Sequence, residues 1–403
     1  MAEPQIVPAE TAATSANAVR PLRAATGALS TTIACSVPVF LVGGLAVQIS
    51  RELGFSPAGL GLAVSAYFGA SALASVPAGA LVERYGSTTI ARAGIGLAAV
   101  SLLTIAIAAR SLWSLIAILA LGAAANAMGQ LASNTSLSRH VPVRRQGLSF
   151  GVKQAAIPVS TLLAGAAVPV VALTVGWRWA FVFAAVGAAA ALWLVPAERD
   201  EASRSVTSAG ERATAALVVI GIGATLAAGA ANALGTFLVD SAVARGLAPG
   251  PAGLALTLGS AVCVVARVGG GWLADRLPDR QIGVIAGMLT VGAAGLALLS
   301  QFSTATLVVG VVLGFGLGWA WPGLMNFAVV RLHPQAPAAA TSITQTGVYA
   351  GGCIGPLSLG TLAATAGYPT MWTAAGIAML WAAAAMVLGS RMLRNHANRA
   401  AAA

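Results

Sequence analysis

Of the chain's 403 residues 58% are apolar and only 8% are charged, and the mean hydropathy is +0.86. Water-soluble domains carry about a quarter charged residues, so a soluble globular fold is excluded and lipid must be the main solvent. With 22 Lys+Arg against 11 Asp+Glu, the net charge of +11 reads as a membrane-topology signal, not a nucleic-acid footprint.

Residues 1–26 hold Glu3, Glu10 and small polar residues without a basic start leading into a short apolar core. That predicts a loose tail and not a cleaved signal peptide. Apolar runs long enough to cross a hydrocarbon layer ~30 Å thick then predict helices at 27–49, 57–82, 89–109, 112–137, 148–174, 179–196, 215–239, 249–273, 281–300, 305–330, 339–364 and 370–390. The stretch 197–213, with Glu198, Arg199, Asp200, Glu201, Arg204, Glu211 and Arg212, is the densest charge in the chain and predicts a linker. The expected organisation is an N-terminal tail (1–26), a six-helix bundle (27–196), a linker (197–213), a second six-helix bundle (214–390) and a C-terminal tail (391–403). The fold class is therefore an all-α membrane protein of twelve transmembrane helices, with no room for a sizeable soluble catalytic domain. Cys35, Cys263 and Cys353 lie far apart in apolar stretches and suggest neither a disulfide framework nor a metal cluster.

If the tail is cytoplasmic, eighteen of the basic residues fall on inner segments and only Arg51, Arg110, Arg178 and Arg245 on outer ones. This positive-inside bias places both termini in the cytoplasm. The histidines His140, His333 and His396 map to the same inner side.

Residues 192 apart match across the linker without a gap. Gly43 pairs with Gly235, Gly54 with Gly246, Gly61-Leu62-Ala63 with Gly253-Leu254-Ala255, Gly79 with Gly271, Leu81 with Leu273, Arg84 with Arg276 and Gly122 with Gly314. Asn134 to Pro142 mirrors Asn326 to Pro334, and Glu83 falls on Asp275. Charged and Asn/Pro matches in one register make chance an inadequate account. The register predicts two pseudo-symmetric six-helix bundles about an axis normal to the membrane, with a substrate site between them near mid-membrane.

The first copy of the repeat reads Gly79-Ala80-Leu81-Val82-Glu83-Arg84-Tyr85-Gly86, and the second Gly271-Trp272-Leu273-Ala274-Asp275-Arg276. These segments resemble the G-x-L-A-D-R-x-G-R-K loop of the major facilitator superfamily of secondary transporters, and Gly176-Trp177-Arg178-Trp179-Ala180-Phe181 is similar to that family's turn between helices five and six. The resemblance covers nearly the whole chain and implies alternating access. An acid beside an arginine at such a turn can clasp two helices through charge-assisted hydrogen bonds, so Glu83, Arg84, Asp275 and Arg276 are read as gate residues; the bland alternative is a static surface pair.

Polar groups inside spans are costly and flag function. Lys153, the only lysine, lies six residues into the fifth helix, ~9 Å deep by helical rise. It reads as an anion ligand or as a snorkelling anchor. Its repeat mate is Gln345. Arg267 sits where carriers resembling the monocarboxylate and oxalate porters place an arginine, which implies substrate contact, with pairing to the gate acid as the alternative. Asn126, Gln130 and Asn134 recur at i, i+4 and i+8 and draw one polar stripe, Asn232 and Asn326 add amides, and Trp319, Trp321, Tyr67 and Tyr349 offer aromatic wall. Interhelical glue and simple packing are the competing roles. Asp240, opposite Gln48 in the repeat register, is the one acid placed for proton coupling; the alternatives are a substrate that brings its own proton, a uniporter or an exchanger. Helix five reads Ala155-Ala156-Ile157-Pro158 and then Gly165, without the G-x-x-x-G-P-x-x-G-G of drug–proton antiporters in that family.

The expected function is secondary transport of a small organic solute, an organic anion or metabolite, across the cytoplasmic membrane. The expected partners are a small-molecule substrate and the bilayer, with a monomer as the working unit and no cofactor, metal, nucleic acid or enzymatic activity. The alternatives are a drug/proton antiporter exporting lipophilic compounds and a non-transporting membrane sensor.

Overall fold

A computed structural model describes residues 21–142, 145–196, 214–276, 281–332 and 337–402. Every regular element among them is a helix. In chain order these are α1 Pro21–Gly44, prolonged by Ala46–Leu53, α2 Pro57–Tyr85, α3 Ser87–Ala108, α4 Leu112–His140, α5 Gln146–Ala172 and α6 Trp177–Leu194. The second half holds α7 Thr214–Ala244, α8 Pro249–Ala274, α9 Gln281–Leu299 and α10 Thr304–Val329. A last helical run, Pro337–Ala402, is broken by Gly367 at φ 82 into α11 (337–366) and α12 (368–402). All twelve expected spans are present.

Two edges differ from the sequence reading. Pro21, pre-set for a first helical position, starts α1 inside the stretch expected to be tail. At the other end α12 runs on through the expected tail to Ala402, because nothing after Arg391 breaks a helix and alanine and arginine favour one. The expected linker 197–213 and His333 lie outside the described residues.

Solvation by lipid is legible on the outer surface. Leu73 is 81% exposed and Trp193 90%, and such apolar faces would drive association in water but suit hydrocarbon.

The halves repeat their local devices as well as their helices. Pro57 and Pro249, mates in the 192-residue register, each open a helix at its first turn. Gly54 and Gly246 take φ 70 and 95 in the turns before them, a region closed to most side chains. Ser111 Oγ accepts the Ser114 N–H at the start of α4, and Ser303 Oγ accepts the Thr306 N–H at the start of α10.

The halves meet along α1–α7, α2–α11 and α5–α8. Gly61 on α2 packs against Pro356 and Gly360 of α11, as its mate Gly253 on α8 packs against Gly165 and Val168 of α5. Gly43 meets its own mate: a Cβ there would lie 2.5 Å from the Gly235 carbonyl oxygen. A residue that touches its repeat mate lies on the pseudo-two-fold axis. Absent side chains let these backbones approach without a hydrophobic driving force between helices.

One polar clamp lies outside this seam, at the arginine-poor end. Glu52, on the α1 extension, accepts from Arg178 Nη2 and Trp177 Nε1, each at 2.6 Å, while Arg178 also donates to the carbonyls of Ala106 and Ala109 at the end of α3. The Arg178 hydrogen bond, then that of Trp177, holds the Glu52 carboxyl below its ordinary 4.5. A depressed acid contributes stability that is fully present above that ordinary value and is lost as pH falls through the folded one. With Glu52 47% exposed, the effect is small and salt-sensitive. The melting temperature of wild type over Glu52→Gln in detergent is expected to show a modest excess at neutral pH that vanishes in acid; an excess that persists in acid would contradict the clamp.

Candidate functional site

Between the halves lies a hollow of about 750 Å³, the open solvent at its mouth included, walled by α1, α2, α4 and α5 from one half and their mates α7, α8, α10 and α11 from the other. Its walls are polar where broken helices supply unpaired backbone.

In α10 the residues Gly314–Gly318 form a π-turn, and Trp319 and Trp321 follow in the turn before Pro322 restarts the helix. Such wide turns leave carbonyls without a helical partner and gather at functional sites. In α5, Pro158 has no N–H for the carbonyl four residues before it, which is that of Gln154. Arg267 of α8 takes both orphans. Its Nε and Nη2 donate to the Trp319 carbonyl at 3.2 and 2.7 Å, and its Nη1 to the Gln154 carbonyl at 2.5 Å. The guanidinium sits 5.8 Å from the Trp319 ring and is 2% exposed. It therefore staples α5, α8 and α10 at the floor of the hollow through neutral acceptors, with no ion-pair partner among the described residues.

Seven of the residues expected to contact substrate line this one cavity: Asn126, Gln130, Asn232, Arg267, Trp321, Asn326 and Gln345. Asn126 Nδ2 also donates to Ser71 Oγ at 3.2 Å, which donates on to the Ala123 carbonyl at the break in α4. Asn232 Nδ2 donates to the Ala228 carbonyl of its own helix. The aromatic wall comprises Phe40, Tyr67, Phe68, Trp319, Trp321 and Tyr349, with Phe40 and Trp319 edge to face at 5.9 Å. Trp321 is wholly buried and its Nε1–H has no acceptor among the described residues.

Two expected residues stand apart from the lining. Asn134, one turn beyond Gln130, is half-buried outside it, since the i+8 position has rotated along the stripe and left the wide part of the cavity. Lys153 is 1% exposed and stands behind Gln130, whose Oε1 accepts from its Nζ. Phe40 and Gln154 were not singled out from sequence; for Gln154 the signal was present in Pro158, four residues on.

The gate candidates occupy the arginine-rich end. Asp275 does not pair with the adjacent arginine: its two carboxylate oxygens accept the backbone N–H groups of Gly147 and Leu148 at 3.1 and 3.0 Å. It closes α8 onto the positive N-terminal end of α5, a favourable place for a carboxylate. Arg276 instead stacks on Trp272 at 3.6 Å, and Arg84 lies 5.2 Å from the Tyr85 ring. Glu83 is exposed at the end of α2. Asp240 lies at the opposite end, outside the cavity, accepting from the Tyr368 hydroxyl with Arg51 within electrostatic reach. The neighbouring Ser241 Oγ accepts from Trp372 Nε1 at 3.2 Å, so this pair of bonds ties α7 to α12.

The family described as Major Facilitator Superfamily matches the chain twice, over residues 27–222 and again over 220–402. No curated protein matches it.

Proposed function

The chain belongs to the Major Facilitator Superfamily and is a secondary transporter, and from that premise we propose that its cargo is a small organic anion, bound in the central cavity against Arg267 and carried by alternating access of the halves 27–196 and 214–390. The observation that carries this reading is the buried Arg267 guanidinium in the cavity wall, engaged only by neutral groups. A charge in the membrane interior is costly unless something neutralises it, and an anionic cargo does so. The free Trp321 N–H on the same wall favours a ligand rich in acceptors, since a buried donor left unpaired costs about 1–3 kcal/mol. The arginine bias supports a cytoplasmic-membrane orientation with both termini inside.

The rival reading, export of lipophilic compounds, calls for an apolar hollow with both Lys153 and Arg267 turned away. Arg267 in the wall and six lining amides weigh against it. The test is thermal stabilisation of the purified protein by benzoate, oxalate and lactate, with tetraphenylphosphonium and glucose as controls. A saturating specific binder is expected to raise the melting temperature by a few degrees, about 2.7 kcal/mol of linkage at a hundredfold excess over Kd. Stabilisation by the lipophilic cation alone would overturn the anion reading.

A further inference from the structure

Lys153 has a feature that an anion ligand or a lipid anchor does not explain. It is buried in the bundle, reaches neither the lining nor the surface, and its Nζ has a neutral amide, Gln130, as its acceptor. The first half of α5 packs against α1, α4, α8 and α10. The titratable and charged groups those helices bring are Arg23 and Cys35 of α1, Arg139 and His140 of α4, Cys263 and Arg267 of α8 with Asp275 and Arg276 at its end, and Arg331 of the α10 segment. The only acid among them is Asp275, and both its oxygens are taken by the N–H groups of Gly147 and Leu148. Arg267 brings its like charge to the carbonyl of Gln154, the residue next to Lys153 in the chain.

Two cations buried side by side without an anion are strongly unfavourable, and only one can relieve the strain. An arginine does not deprotonate in proteins, whereas a lysine does so readily when buried. An anion at Arg267 removes the reason for doing so. We propose that Lys153 is the proton-coupling site of this carrier: it is a neutral amine when the cavity is empty and an ammonium when an organic anion is bound. The balance is one for one. A proton from water on the side where the anion enters bonds to Nζ by way of the Gln130 side of the cavity, the carrier crosses with anion and ammonium present, and both leave on the far side, restoring the amine. Coupling is then an anion–proton symport run on a base, not on a mid-membrane carboxylate, and Asp240, held by Tyr368 outside the cavity, takes no part.

This inference rests on the anion reading, and its test separates the two. Because Lys153 is the only lysine, protein labelled with 13Cε,15Nζ-lysine gives one side-chain signal that reports its protonation directly. In nanodiscs, benzoate is expected to move the midpoint of that signal upward by about one pH unit or more, and an indicator dye in weak buffer is expected to register about one proton taken up per benzoate bound. Arg267→Gln, with no ligand at all, is expected to move the midpoint the same way by removing the like charge. Lys153→Gln and Lys153→Arg are both expected to bind benzoate without proton uptake, and the arginine variant, which keeps charge and length, serves if the glutamine one fails to fold. Asp240→Asn is expected to keep the uptake. A lysine signal that neither benzoate nor Arg267→Gln moves, or uptake that survives in Lys153→Arg and disappears in Asp240→Asn, would overturn the proposal. Absence of any benzoate, oxalate or lactate binding would overturn the anion reading instead, and the ligand-free Arg267→Gln comparison would still decide the lysine.

Discussion

Arg267→Gln is expected to abolish transport of whichever organic acid stabilises the wild type, with its affinity reduced more than a hundredfold, while protein still reaches the membrane. Three effects coincide at this position. The cargo loses the one cation that the described residues place in the cavity wall. The Trp319 and Gln154 carbonyls, left open by the π-turn of α10 and by Pro158, lose the donors that satisfy them. And α5, α8 and α10 lose their common staple. A buried acceptor left unsatisfied costs about 1–3 kcal/mol, which lowers the melting temperature, and losing the charge-assisted bonds to the cargo costs about 1.5–3 kcal/mol, the size of a hundredfold loss of affinity. Arg267→Lys separates the contributions. A lysine restores the charge but not the planar fork that reaches two carbonyls on different helices, so binding is expected to return only in small part. Measured by uptake into proteoliposomes and by ligand-dependent melting, full activity of the lysine variant would show that charge alone is what the site requires.

Much of this architecture is written in the chain at a level that physical reading reaches. Long apolar runs, the 192-residue register and the arginine asymmetry are local or one-dimensional signals, and lipid leaves few alternatives to a helix once they are present. The cavity residues were legible for the same reason: an amide or a cation in a span is expensive, so Asn126, Gln130, Asn232, Arg267, Asn326 and Gln345 stand out against leucine and alanine. What escaped were facts of three-dimensional contact. A stripe at i, i+4, i+8 drifts around a helix of 3.6 residues per turn, so Asn134 was counted with Asn126 and Gln130 although it leaves the cavity. The motif marks Asp275 as a clasp between helices, but not that its partners are backbone N–H groups of a helix more than a hundred residues away. The depth of Lys153 was readable, but that it stands behind Gln130 without a carboxylate for company required the packing of four other helices.

The seam between α5 and α8 offers the other large effect, in two variants that should push the carrier in opposite directions. It is shut at both ends by glycine on backbone. At the arginine-poor end a Cβ on Gly253 would lie 2.7 Å from the Gly165 carbonyl oxygen, and at the arginine-rich end a Cβ on Gly271 would lie 2.7 Å from the Gly147 carbonyl oxygen, beside the Asp275 contact. Neither obstacle is a flexible side chain, so an added methyl must part the helices locally. Overpacking of this kind costs about 1–3 kcal/mol, and a bias of that size between two states shifts their ratio by about 5–150-fold. A carrier that works by alternating access opens one end while closing the other. Gly253→Ala is therefore expected to favour the state open at the arginine-poor end, and Gly271→Ala the state open at the arginine-rich end. Spin-label pairs at Ser111 and Ser303 for the first end and at Ser138 and Arg331 for the second, with Cys35, Cys263 and Cys353 first replaced, report the two openings separately. In Gly253→Ala the first distance should lengthen and the second shorten, with the reverse in Gly271→Ala. If both variants merely lower the melting temperature and leave both distances unchanged, the seam is static packing and the moving interface lies elsewhere.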